Sequence, residues 1–214
     1  MMRMHQRLFS CLFFTALLPA SVFAQSQFTS SSADALPSEL GPAIQGVLNP
    51  SGTKIMTQQG ATILEIWFRS SLPAGSSAKE DHVTLPMIPK GALVGAMRVS
   101  GPATDARGQT LAPGVYTLRY GVAPDNEGHK TVAPQRDFML ISRAGDDQKP
   151  DAIADVDALI KQSAKASGTQ HAAVYSIWKA GSDFPGFTYE NEADWVLQSK
   201  IGNVPICTTV VWKE

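Results

Sequence analysis

The sequence predicts a mainly β protein: an antiparallel β-sandwich, immunoglobulin-like or jelly-roll-like, with one α-helix near residues 151–166. Short runs rich in β-branched and aromatic residues recur between Gly, Pro, Asn and Asp turn signals. Only one segment carries helical periodicity, so the strand–helix alternation of a parallel α/β fold is missing. No internal repeat is present.

In chain order, the stretch 25–43 is rich in Ser, Ala, Pro and Gln and is expected to be a flexible lead-in to a single domain over 44–214. The run 62–68 (Thr-Ile-Leu-Glu-Ile-Trp-Phe) predicts a largely buried strand, and Ala92 to Val99 another. Residues 105–111 predict a short strand folded about a turn at Gly108, and Pro113-Gly114 a second turn. From Val115 to Tyr120 the residues alternate. Val115, Thr117 and Arg119 share one face; Tyr116, Leu118 and Tyr120 share the other. Arg136 to Arg143 continues as a strand. Between Asp151 and Ala166, Ile153, Val156, Leu159, Ile160 and Ala164 make one helical stripe, with Gly168 placed to end the helix. Ala173–Lys179, Phe187–Glu190, Trp195–Lys200 and Ile206–Lys213 predict the closing strands.

Residues 1–24 have the order of a secretory signal peptide. Arg3 and Arg7 precede an apolar run from Leu8 to Leu18, and Val22-Phe23-Ala24 offers a cut before Gln25. The run is shorter than the roughly 20 residues that span a bilayer. The full chain has 214 residues, 18 Lys+Arg and 19 Asp+Glu. Cleavage would remove Arg3, Arg7 and Cys11, leaving 190 residues, a charge of −3, and Cys207 as the single cysteine. No Asn-x-Ser/Thr acceptor exists, since Asn49 is followed by Pro50. These features point to export into a bacterial periplasm or beyond the cell, with no transmembrane segment in the mature form. The absence of a basic excess argues against nucleic acid as a partner.

No nucleophile elbow, phosphate-cradling loop, dinucleotide glycine pattern, His-Glu-x-x-His or Cys-x-x-Cys occurs. Two surfaces remain. Trp178, Phe184, Phe187, Tyr189 and Trp195 fall among Asp183, Glu190, Asn191, Glu192 and Asp194. Aromatic faces beside acids and amides suit a sugar, so Trp178, Phe184, Tyr189 and Trp195 are candidate ligand-binding residues. The plainer alternative is that these rings pack the sandwich. The second surface is the polar loop with Asp125, Glu127 and His129, followed by Asp137. Oxygen ligands with an imidazole could hold a divalent metal ion, although the spacing matches no established pattern and a solvated turn uses the same residues.

The stretch 108–118 (Gly-Gln-Thr-Leu-Ala-Pro-Gly-Val-Tyr-Thr-Leu) resembles a hairpin of exported bacterial β-sandwich domains. With Tyr120-Gly121 and Arg136-Asp137-Phe138 it looks like an uncharacterised secreted bacterial β-sandwich family. That resemblance implies a structural element and no activity, so no catalytic residue is carried over. The expected function is a non-catalytic binding or accessory module without cofactor, for a glycan, an envelope component or a protein partner. The alternative is a metal-binding protein or metal-dependent hydrolase using the 125–137 loop.

Overall fold

The computed structural model describes residues 27–125, 135–182, 186–190 and 194–212, with the backbone alone for 188–190. The chain is mainly β and antiparallel, and its large seven-stranded sheet curls like a half-barrel. That sheet is built from β1 (Phe28–Ser32), β2 (Thr53–Thr57), β3 (Thr62–Phe68), β4 (Leu93–Val99), β7 (Gly114–Val122), β8 (Asp137–Arg143) and β9 (Val174–Ser176), side by side in that order. Between β4 and β7, β5 (Ala103–Thr104) and β6 (Thr110–Leu111) form a small hairpin turning through Gly108 at φ 74°. The second sheet has the order β10 (Trp178–Lys179), β13 (Val204–Val211), β12 (Asp194–Ile201), β11 (Phe187–Glu190).

One core joins the two sheets. Ile55, Leu64, Ile66, Met97, Tyr116, Leu118, Tyr120, Met139 and Ile141 come from the first; Trp195, Leu197, Ile201, Ile206 and Val210 come from the second. The alternation expected at 115–120 holds, with Tyr116, Leu118 and Tyr120 facing this core. The other face is buried too: Thr117 and Arg119 are wholly covered. One closing segment changes sheet where a single strand was expected. Ala173–Lys179 divides at Ile177, with β9 at the edge of the first sheet and β10 opening the second. The chain crosses between layers there.

Within the stretch expected as a lead-in, Phe28–Ser32 pairs along β2 from Phe28↔Thr57 to Ser32↔Thr53. Four of its five residues are exposed, so an edge strand of Thr and Ser needs no apolar alternation to form. Further on, Leu40 and Ile44 are fully buried against Trp67, Leu93 and Ala96. Ile44 lies in a short helix, α1 (Pro42–Gln45).

The principal helix, α2 (Val156–Ser167), starts later than Asp151. Arg119 explains the delay. Its guanidinium takes both oxygens of Asp147 at 2.7 Å and donates to the carbonyls of Gly91 (2.8 Å), Lys149 (2.6 Å) and Asp151 (2.8 Å). Ile153 N–H donates to Gly91 O at 3.1 Å. The segment 149–153 is therefore bonded outward and cannot close a helical turn. The helix begins at Asp155, whose Oδ1 accepts from Ala158 N–H at 3.0 Å, and ends at the left-handed Gly168. Gly91 is obligatory in this knot: at φ 77°, an added Cβ would lie 1.9 Å from Ile153 O.

The apolar stripe of α2 is only partly used. Leu159 is buried with Leu140, Ala172 and Val174, and Ser163 and Ala166 complete the covered face. Ser163 Oγ donates to Ala173 O at 2.8 Å, which fixes the rotation of the helix. Val156 and Ile160 are left 42% and 40% exposed.

Candidate functional site

A groove of about 280 Å³ opens beside α2, on the outer face of the β8–β9 edge. Strand alternation builds its floor. Phe138 and Leu140 point outward from β8, while Met139 and Ile141 point into the core; Val174 stands opposite Leu140 and Ser176 opposite Phe138. Ile160 supplies a wall from α2. Ala106 and Arg107 close one end with His171, and Pro124 with Arg136 the other.

The first end is held rigid by Asp105. This carboxylate is fully buried and accepts from the N–H groups of Arg107 (2.9 Å), Gln109 (2.8 Å) and Val174 (3.0 Å) and from the Gln109 amide (2.8 Å). Gln109 Nε2 also donates to Ala172 O at 3.1 Å. The β5–β6 turn is thereby tied to the strand that forms the floor. The other end is held by an ion-pair chain. Arg136 donates to Ala123 O at 2.7 Å and pairs with Glu80 at 2.8 Å, and Glu80 pairs with Lys90 at 2.9 Å. Lys90 and Arg136 together hold the Glu80 carboxyl below its ordinary range.

Asp137, expected as a metal ligand, has a different role. It is 2% exposed, and its oxygens accept from Thr84 N–H (2.7 Å), Thr84 Oγ1 (3.0 Å), Leu85 N–H (3.0 Å) and Tyr120 OH (2.6 Å). Four donors on two oxygens staple the 84–85 loop to the sheet. Asp125 is exposed, and Glu127 and His129 lie outside the described residues. Among the described residues, no three of His, Cys, Asp and Glu gather where they could share an ion.

The aromatic set is also separated. Trp195 is 7% exposed and faces the core, edge-on to Phe28 at 5.7 Å and stacked on Phe187 at 5.0 Å. Trp178 pairs in register with Cys207 and packs on Ala180, Val196 and Cys207. Val196 follows Trp195 along β12, so the two indoles stand on opposite faces of the four-stranded sheet and share no platform. Tyr189 lies in β11 opposite Trp195, and Phe184 falls outside the described residues. Their burial sets the expected cost of truncation. Trp195→Ala should lose about 3–5 kcal/mol in urea denaturation. The half-buried Trp178 should lose about 1 kcal/mol as Trp178→Ala.

The groove itself was not legible in advance. Its one local signal was Ile160, an apolar residue on a helical stripe too wide for the face α2 buries. No protein-family model, curated protein or solved structure matches the chain. Among the described residues no helix is long and apolar enough to cross a membrane.

Proposed function

We propose that the protein is an exported, non-catalytic binding module that takes a small apolar or amphipathic envelope component into the groove beside α2. One observation carries this reading. Ile160 is left 40% exposed on the wall of a concave groove floored by Phe138, Leu140 and Val174. Apolar surface gathered in a concavity with few polar groups is what a small ligand covers. The volume lies at the low end of the roughly 300–1,000 Å³ range of ligand sites, which suits one chain or one ring system. The groove's buried polar groups support a binding role over a catalytic one. Asp137 is saturated by structural donors, and Ser176 Oγ donates to Thr209 Oγ1 at 3.1 Å rather than to a base. Export rests on the order of features in residues 1–24 and on a mature sequence with one cysteine.

The test uses a neutral apolar dye, N-phenyl-1-naphthylamine. Wild-type protein should enhance its fluorescence saturably. Ile160→Asp places a charge on the wall without disturbing the core and should weaken binding about tenfold, the order expected for losing one aliphatic contact. Equal binding by both proteins, with unchanged melting curves, would place the dye elsewhere and sink the reading.

A further inference from the structure

We infer that the groove selects an amphiphile with a single anionic head, a carboxylate in its simplest form, seated at the Arg107–His171 end with the apolar body along Ile160 and Leu140. This rests on the binding reading above and goes further, because it assigns the ligand's charge and its direction.

The two ends of the groove differ in how their charges are engaged. At the Arg136 end the charged residues that line the groove are already engaged. Arg136 is divided between Ala123 O and Glu80, Glu80 also takes Lys90, and Asp137 is filled by four donors. Two cations and two anions offset one another there. At the other end, Arg107 is exposed. Its backbone N–H is held by Asp105, but its guanidinium has no hydrogen bond or ion pair among the described residues. Asp105 does not compete for it, since that carboxylate faces inward and is filled by three backbone N–H groups and one amide.

His171 stands beside Arg107 because the two segments are tied by Asp105 to Val174 and by Gln109 to Ala172. Only the backbone of His171 is engaged, with Thr169 Oγ1 and Ser167 Oγ. The free polar capacity of this end is therefore weighted to donors, led by a guanidinium. A planar guanidinium presents parallel N–H groups that fit a carboxylate in a fork, a geometry that an alcohol cannot reproduce. An anionic head at Arg107 leaves the rest of a short amphiphile over the apolar floor. The backbone turn that positions Arg107 is fixed independently of its side chain. Discrimination at this site therefore needs no rearrangement of the fold.

The experiment displaces N-phenyl-1-naphthylamine from the protein with sodium decanoate and, separately, with 1-decanol at pH 8. Wild-type protein should bind decanoate about fivefold more tightly than decanol, the size expected of a partly exposed charge pair. Arg107→Gln should lose that preference, with decanoate weakened about fivefold and decanol unchanged. Equal displacement by both in the wild type, or a preference that survives in Arg107→Gln, would overturn the anionic head while leaving the apolar site standing. If the dye binds and neither chain displaces it, or if the dye does not bind, the binding reading itself fails and this inference with it.

Discussion

Arg119→Met should destabilise the protein by about 3–5 kcal/mol, read as a fall in the urea midpoint with little change in slope. Met matches the aliphatic stem of Arg, so the loss would come from polar groups rather than from a cavity. Asp147 is 4% exposed and would keep a charge with only Thr117 Oγ1, at 2.6 Å, still donating to it. The carbonyls of Gly91, Lys149 and Asp151 would lose their charged donor together. A second variant separates these contributions. Arg119→Met with Asp147→Leu removes the stranded carboxylate, so it should recover part of the loss. The carbonyls of Lys149 and Asp151 remain without that donor, while Gly91 O keeps Ile153 N–H, so recovery should stop about 1–3 kcal/mol below wild type. The outcome against this account is a single variant within 1 kcal/mol of wild type, which would mean that water or Lys149 replaces the guanidinium readily.

Arg119 also shows what the sequence could and could not tell. Its position on the face opposite Tyr116, Leu118 and Tyr120 follows from alternation, and the strand bounds around it were legible because Pro113-Gly114 and the β-branched run mark them locally. Alternation assigns a face but not what covers that face. An Arg on the second face reads as solvent-exposed until its partner is known, and Asp147 is 28 residues away. The same limit explains α2. Periodicity announced a helix and Gly168 its end. The start moved because Gly91 and Arg119, both distant in sequence, hold 149–153 in another conformation. Local signals fixed strands and caps; long-range hydrogen bonds decided which polar residues were structural. The groove belongs to the second kind, since its floor, wall and Arg107 come from four separate segments.

Asp137→Ala should cost about 3 kcal/mol or more, and the pattern among neighbouring variants would identify it as a loop staple. Its carboxylate is the acceptor for Thr84 N–H, Thr84 Oγ1, Leu85 N–H and Tyr120 OH. Removing it leaves a buried phenol and a buried amide without an acceptor, each worth about 1–3 kcal/mol. Asp137→Asn keeps one carbonyl oxygen and should lose roughly half as much. Tyr120→Phe removes only the donor and should cost about 1 kcal/mol. Alkaline titration supplies an independent reading. Burial, and then hydrogen bonding to Asp137, hold the Tyr120 phenol well above its ordinary value. A group whose proton is held more tightly in the folded state adds stability that is complete below the unfolded value, about pH 10, and declines as pH rises past it. Wild-type protein should therefore lose stability steadily above about pH 10, and Tyr120→Phe should flatten that decline by one proton's worth, about 1.4 kcal/mol per pH unit. Tyr175 and Tyr116, both raised chiefly by burial, would keep a slope in that variant. If Asp137→Ala instead left stability intact, the staple would be refuted and the carboxylate would be free for a ligand.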